Sequence, residues 1–190
     1  MDLGLIEKQL KETDVAIIKI DSKDGTKLLN GAVFLVKEGE DELAYVSTGS
    51  IFIKHNEQLF PCLEEVEEEY EPEYVIKTYW ISMDEEFTEY MEVQSDENGE
   101  VLLILGKELT EEGTYFVSDG SETWKVEVVN GKAVINNLEA THTYTITEVY
   151  APEKYELKTE PFEFTIDFTD GFTGEYTITN IKQYVPSLGF

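Results

Sequence analysis

From Val15 onward the chain is written in short runs in which apolar and polar residues alternate, and this period of two restricts it to β-strands. VAIIKID and LLNGAVFLVKE open the series, and YVIKTYWISM, EVLLIL, TWKVEVV, TYTITEVY and GEYTITNIK continue it. Turn residues such as Asp24-Gly25, Asp96-Glu97-Asn98-Gly99, Asp119-Gly120 and Asn130-Gly131 separate the runs. Many short strands with turn signals at this spacing make a sandwich or a barrel, so an all-β fold is expected. Residues 4–14 suit either a short helical lead-in or an ordered linker, and 62–71 (CLEEVEEEYE) is the other helix-like segment. The like charges packed into that second segment argue against a long isolated helix there. Its carboxylates lack the Asp/Asn/Gly spacing of a calcium loop, so a solvated face is expected.

Composition narrows the function. Of the 190 residues, 41% are hydrophobic and 12% aromatic, enough core-forming side chains to exclude a disordered chain. Against 14 basic residues stand 41 acidic ones, a net charge of −27. That field repels phosphate backbones and anionic lipid, so nucleic-acid and membrane-surface roles are not expected, while divalent cations or a basic partner stay open. Cys62 is the single cysteine, so no intrachain disulfide can form. No apolar stretch is long enough to span a bilayer, and Met1-Asp2 is not followed by a secretory leader. Any signal peptide or wall anchor is expected outside these residues.

Three polar residues fall on the wrong face. Residues two apart in a strand share a face, so Lys19 lies with Val15 and Ile17. Glu148 lies with Tyr144, Ile146 and Tyr150, and Asn180 with Tyr176 and Ile178. The apolar sets must face the core, which turns Lys19, Glu148 and Asn180 inward as well. Register leaves two readings open. One is a buried Lys–Glu ion pair with a hydrogen-bonded Asn. The other is a reactive set in which burial holds the Lys19 amine neutral and nucleophilic. In that set a protonated Glu148 carboxyl polarises the Asn180 carbonyl and shuttles protons. Attack of the amine on the carboxamide would expel ammonia and leave an amide cross-link.

The segment VAIIKIDSKDGTKLLNGAVFLV resembles the opening of a Cna-B-type domain, the prealbumin-like (SpaA-like) repeat of Gram-positive pilins and adhesins. Lys19, Asp21, Gly25, Leu29, Gly31, Ala32 and Phe34 match its Lys-x-Asp, turn and Leu-x-Gly-Ala-x-Phe pattern. Tyr144, Glu148, Ala151, Pro152 and Tyr155 match the family's Tyr-x-x-x-Glu and Ala-Pro-x-x-Tyr signature, with Lys154 where Gly is common. Asn180 and Lys182 fit its closing strand. The resemblance implies an immunoglobulin-like or prealbumin-like sandwich over 15–183, after a lead-in at 1–14 and before a tail at 184–190. It also implies a Lys19–Asn180 isopeptide bond catalysed by Glu148. Residues 38–125 depart from the pattern as a large inserted block, either extra strands or a subdomain.

The implied function is a structural module of a pilin or adhesin stalk, extracellular on the cell wall, with neighbouring domains or subunits as partners. The alternative is an adhesin domain that recognises a host matrix protein or glycan through the block 38–125. Its aromatics, Tyr70, Tyr74, Tyr79 and Trp80, would stack on sugars or peptides, although aromatics at strand period also build cores. An enzyme is not expected beyond a single self-cross-linking turnover. His55 and His142 lack metal-ligand spacing, Cys62 has no supporting motif, and nothing calls for a cofactor or metal. YVPSLGF is not a sortase signal, since Val185 and Leu188 are wrong for it, and no acceptor-lysine motif for polymerisation is evident.

Overall fold

The computed structural model describes residues 12–59, 72–166 and 174–183. Most of the expected lead-in, the helix-like segment with Cys62 and Tyr70, and the tail lie outside the described residues. Within them every regular element is a strand. The chain opens with β1 (Glu12–Asp21), β2 (Val33–Glu38) and β3 (Asp41–Ser47). There follow β4 (Ser50–Lys54), β5 (Gln58–Leu59), β6 (Glu73–Tyr74), β7 (Thr78–Ser82), β8 (Met91–Gln94), β9 (Glu100–Ile104), β10 (Gly113–Ser118) and β11 (Thr123–Val128). The closing set is β12 (Lys132–Glu139), β13 (Thr143–Tyr150), β14 (Phe162–Thr165) and β15 (Glu175–Asn180).

The opening and closing strands build one sandwich. One sheet has the order β12-β1-β15 and the other β14-β13-β2-β3. β1 runs antiparallel to β12 but parallel to β15, with Lys19 opposite Ile178 and Asp21 opposite Asn180. Alternation delivers Val15, Ile17 and Ile178 from the first sheet and Phe34, Val36, Ile146 and Phe164 from the second into a shared core.

A second core sits in the intervening segment. Sheets β11-β10-β7-β8 and β4-β9 enclose Ile51, Ile81, Leu103, Tyr115, Val117 and Val128. Two separate cores make two bodies, the second inserted into the first between β3 and β12. The insertion therefore begins at β4 and ends at β11. Residues 38–47, counted by sequence with the inserted block, belong largely to β3, which pairs with β2 in the outer sandwich. Leu43 is 48% exposed on this edge strand, so alternation gave no guide to its partner.

The junction is tightly bonded. Thr48 is fully buried; its N–H donates to the Ala32 carbonyl at 2.9 Å and its hydroxyl to the Leu29 carbonyl at 2.9 Å. On the return crossing, Asn30 accepts from the Gly131 N–H at 2.6 Å and donates to the Asn130 side chain at 2.8 Å. Gly31 of the Leu-x-Gly-Ala motif has φ +89, and a Cβ there would sit 2.9 Å from Ile104 Cδ1 of the inserted body. Only glycine meets both conditions without strain. Tyr150 was expected inward, but a bulge between Glu148 and Tyr150 turns it out. Its hydroxyl donates to Glu100 and its ring packs 6.0 Å from that of Phe52, both on the inserted body.

Both tryptophans, Trp80 and Trp124, lie in the inserted body, so their fluorescence reports its unfolding. Ile81 is 2% exposed in that core. Ile81→Ala should destabilise the fluorescence-monitored transition by about 2–5 kcal/mol in urea, and an unshifted midpoint would show that this core is not the one holding the body together.

Candidate cross-linking site

Lys19 comes from the central strand β1, Asn180 from the last residue of its neighbour β15, and Glu148 from β13 in the facing sheet. All three are buried, Lys19 at 0%, Asn180 at 2% and Glu148 at 4% exposure. Lys19 and Asn180 point to the same face of one sheet, offset by two residues in the parallel ladder, about 7 Å along the strand. The lysine side chain is long enough to cover that offset.

Glu148 stands between the other two. Its Oε1 lies 3.3 Å from Lys19 Nζ, at ion-pair distance but outside hydrogen-bonding orientation. Its Oε2 accepts from Asn180 Nδ2 at 2.9 Å and from the Lys158 N–H at 2.7 Å. The second amide hydrogen of Asn180 goes to the Glu156 carbonyl at 3.0 Å. Both N–H bonds of the carboxamide are thereby used. Lys19 Nζ, Glu148 Oε1 and Asn180 Oδ1 have no hydrogen-bond partner among the described residues. The carboxyl thus meets the amide nitrogen and not, as expected from sequence, the carbonyl.

Desolvation is the largest influence on Lys19 and lowers its pKa to about 8; the nearby Glu148 charge opposes this without cancelling it. At that value about a tenth of the amine is neutral at pH 7. The Phe34 ring, 5.4 Å from Nζ, supplies part of the apolar wall. Such a group is a competent nucleophile, and a carboxyl in contact with both the amine and the amide nitrogen is placed to move a proton between them.

A second contact ties the signature motifs together at the mouth of the site. The Tyr155 hydroxyl donates to Asp21 Oδ2 at 2.6 Å. That hydrogen bond, helped by the Lys23 N–H, lowers the Asp21 pKa, while burial and the same bond push Tyr155 up to about 12. Lys154, at the usual Gly position, adopts φ +73 and accepts from the Gln183 N–H at 2.9 Å, which pins the strand after Asn180. Sequence reasoning quoted Asp21 and Tyr155 as motif residues without finding their bond. It missed Glu156 and Lys158 altogether, since they act through backbone atoms that carry no residue-type signal.

Other candidates do not join this site. His142 lies on the surface between Glu38, at 2.5 Å, and Glu139, at 3.1 Å. His55 lies in the inserted body, 3.1 Å from the Ser95 hydroxyl. Among the described residues no group of three or more His, Cys, Asp or Glu side chains is arranged to hold a metal ion, and no helix is long and apolar enough to cross a membrane.

Fold and site together define an all-β, prealbumin-like sandwich with a buried Lys–Glu–Asn set. Residues 110–182 match the family model of SpaA, described as a prealbumin-like fold domain. The match spans less than half of the chain and contains Glu148 and Asn180; Lys19 on β1 lies before it. Two solved structures are similar at 16% identity: "The Bacillus anthracis TIE protein", over 90% of this chain and 50% of that one (TM-score 0.22), and a streptococcal ancillary pilin, over 91% and 63% (TM-score 0.24). The chain thus spans less than two-thirds of either. No curated protein matches it.

The Lys19 shift has a pH signature while the amine is free, as in an Asn180→Ala variant. Between about pH 8 and 10.5 the unfolded chain binds a proton that the folded chain does not, so stability should rise with pH across that window. Chemical denaturation at pH 7.5, 8.5 and 9.5 measures the slope. A Lys19→Met/Asn180→Ala double variant should lack it; equal slopes in the two variants would assign the effect to other groups.

Proposed function

We propose that the chain is a structural module of a bacterial surface protein, of the pilin or adhesin-stalk kind, whose outer sandwich is closed by a self-made Lys19–Asn180 isopeptide bond. The observation that carries this reading is the burial of Lys19, Glu148 and Asn180 in one contact set, with the carboxyl touching both nitrogens. The sequence resemblance to Cna-B-type domains and the SpaA-like match support the surface-protein part.

The reaction balances without a cofactor. The neutral Lys19 amine attacks Asn180 Cγ, and its proton passes to Glu148. The carboxyl returns a proton to Nδ2, the C–N bond breaks, and ammonia leaves. The carboxylate ends as it began, and a buried amide replaces a buried amine and carboxamide. This is one turnover per molecule, not enzyme turnover.

The mechanical consequence follows from topology. β1 and β15 are parallel neighbours, so pulling on the two chain ends shears one strand along the other. A bond from Lys19 to Asn180 carries the load from β1 directly to the residue where β15 ends. Everything between residues 20 and 179, the inserted body included, leaves the load path. By chain-entropy reasoning the closure also stabilises the fold by roughly 5 kcal/mol.

Intact mass tests the chemistry. The purified chain should weigh less than its sequence by one ammonia, and Lys19→Ala, Asn180→Ala and Glu148→Ala should each restore the full mass. A deficit that persists in Glu148→Ala would remove this carboxyl from the mechanism, and a full-mass wild type would remove the cross-link.

A further inference from the structure

An open depression of about 400 Å³ on the inserted body has three aromatic residues in its lining and lies outside the buried triad. Trp80 comes from β7, and Phe87 and Tyr90 from the loop that joins β7 to β8. The same loop contributes the Glu85 carboxylate, and Ser118 and Thr123 add hydroxyls beside the β10–β11 turn. Among the described residues no lysine, arginine or histidine lines it.

The loop is held in place. Asp84 accepts from the N–H groups of Glu86 and Thr88, each at 3.0 Å, and from the Thr88 hydroxyl. The Phe87 N–H donates to the Asp84 carbonyl at 2.9 Å, and Phe87 itself has φ +54. The Ser82 hydroxyl closes the loop on the Glu89 carbonyl at 2.5 Å. Gly120, at φ +93, lies beside the Trp80 ring, where a Cβ would come to 3.5 Å of Cζ3. Tyr90 is 58% exposed.

Three aromatic rings and one carboxylate, in a chain of net charge −27, disfavour anions and favour cations. Aromatic rings bind a cation best when it sheds water easily, which favours a soft organic cation over a hydrated metal ion. We propose that this depression binds an organic ammonium group, with Trp80, Phe87 and Tyr90 as the aromatic cage and Glu85 as the counter-charge. The inference is independent of the cross-link.

The test uses the full chain with Trp124→Phe, so that Trp80 alone fluoresces, and calorimetry on the unsubstituted chain as a check should that variant unfold. Choline chloride, N-acetyl-trimethyllysine amide and N-acetyl-lysine amide are titrated at constant ionic strength, against sodium chloride and glucose. The ammonium probes should give a saturable response, and Tyr90→Ala and Glu85→Gln should each weaken it about three- to tenfold. Preference for the trimethylated probes would identify a quaternary headgroup as the ligand; equal response to the lysine probe would identify protein side chains. The proposal is overturned if sodium chloride reproduces the response, if glucose alone saturates, or if both variants bind as well as the wild type.

Discussion

The parallel pairing of the first and last strands is the constraint from which the rest of the outer body follows. Six residue pairs, from Ala16–Glu175 to Asp21–Asn180, place β15 at the edge of its sheet. Parallel ladders are slightly weaker per residue than antiparallel ones, and an edge strand has support on one side only. β15 is therefore held at its end by side chains and loop backbone. The Ser22 N–H donates to the Asn180 carbonyl at 2.9 Å, the Gln183 N–H to Lys154, and the Asn180 amide to Glu148 and Glu156. The Tyr155–Asp21 bond fixes the loop that supplies two of those partners. The signature motifs, distant in sequence, work together as the clamp on one strand end.

Burial of a lysine and a glutamate at one point is costly unless both are fully paired. Here they are not, since Nζ, Oε1 and Oδ1 lack partners among the described residues. A fold selected only for stability would fill this space with apolar side chains, as Ile17 and Ile178 do one step along the same strands. Retaining three underbonded polar groups beside that core makes sense where they react. On the isopeptide reading the fold's least favourable spot becomes a neutral amide, and the energetic defect of the precursor is what drives its own removal.

Much of this was legible in the sequence because strand alternation is a strict code where one face is buried. Lys19, Glu148 and Asn180 each follow apolar residues at spacing two, so their inward direction could be read directly. What alternation does not encode is partner or direction. Nothing in GEYTITN says that it runs parallel to VAIIKID, and nothing in DELAYVS says that it pairs with β2 and not with the inserted body. β3 is exposed along its first half, so the periodic signal that assigns a strand to a core is missing there. Tyr150 looked like one more inward residue, yet a single bulge reversed it. The backbone donors and acceptors at 156 and 158 were invisible for a different reason, because every residue type has them.

The insertion is explained by the same geometry. Its two crossings, at Thr48-Gly49 and Asn130-Gly131, leave the outer body side by side, joined by the Gly49 N–H to the Lys132 carbonyl at 3.3 Å. A body attached by adjacent points on one side of a sandwich receives no tension through its own core when the chain ends are pulled. Around the junction, Tyr150 bonds Glu100 and Tyr45 meets Phe52 edge-to-face with ring centroids 5.4 Å apart, while Lys54 pairs with Glu100 at 3.2 Å within the inserted body. The first two contacts join the inserted body to β13 and β3 of the outer sandwich. The division is built into the chain order: strands at both ends make the outer sandwich, and the segment between them makes the second body.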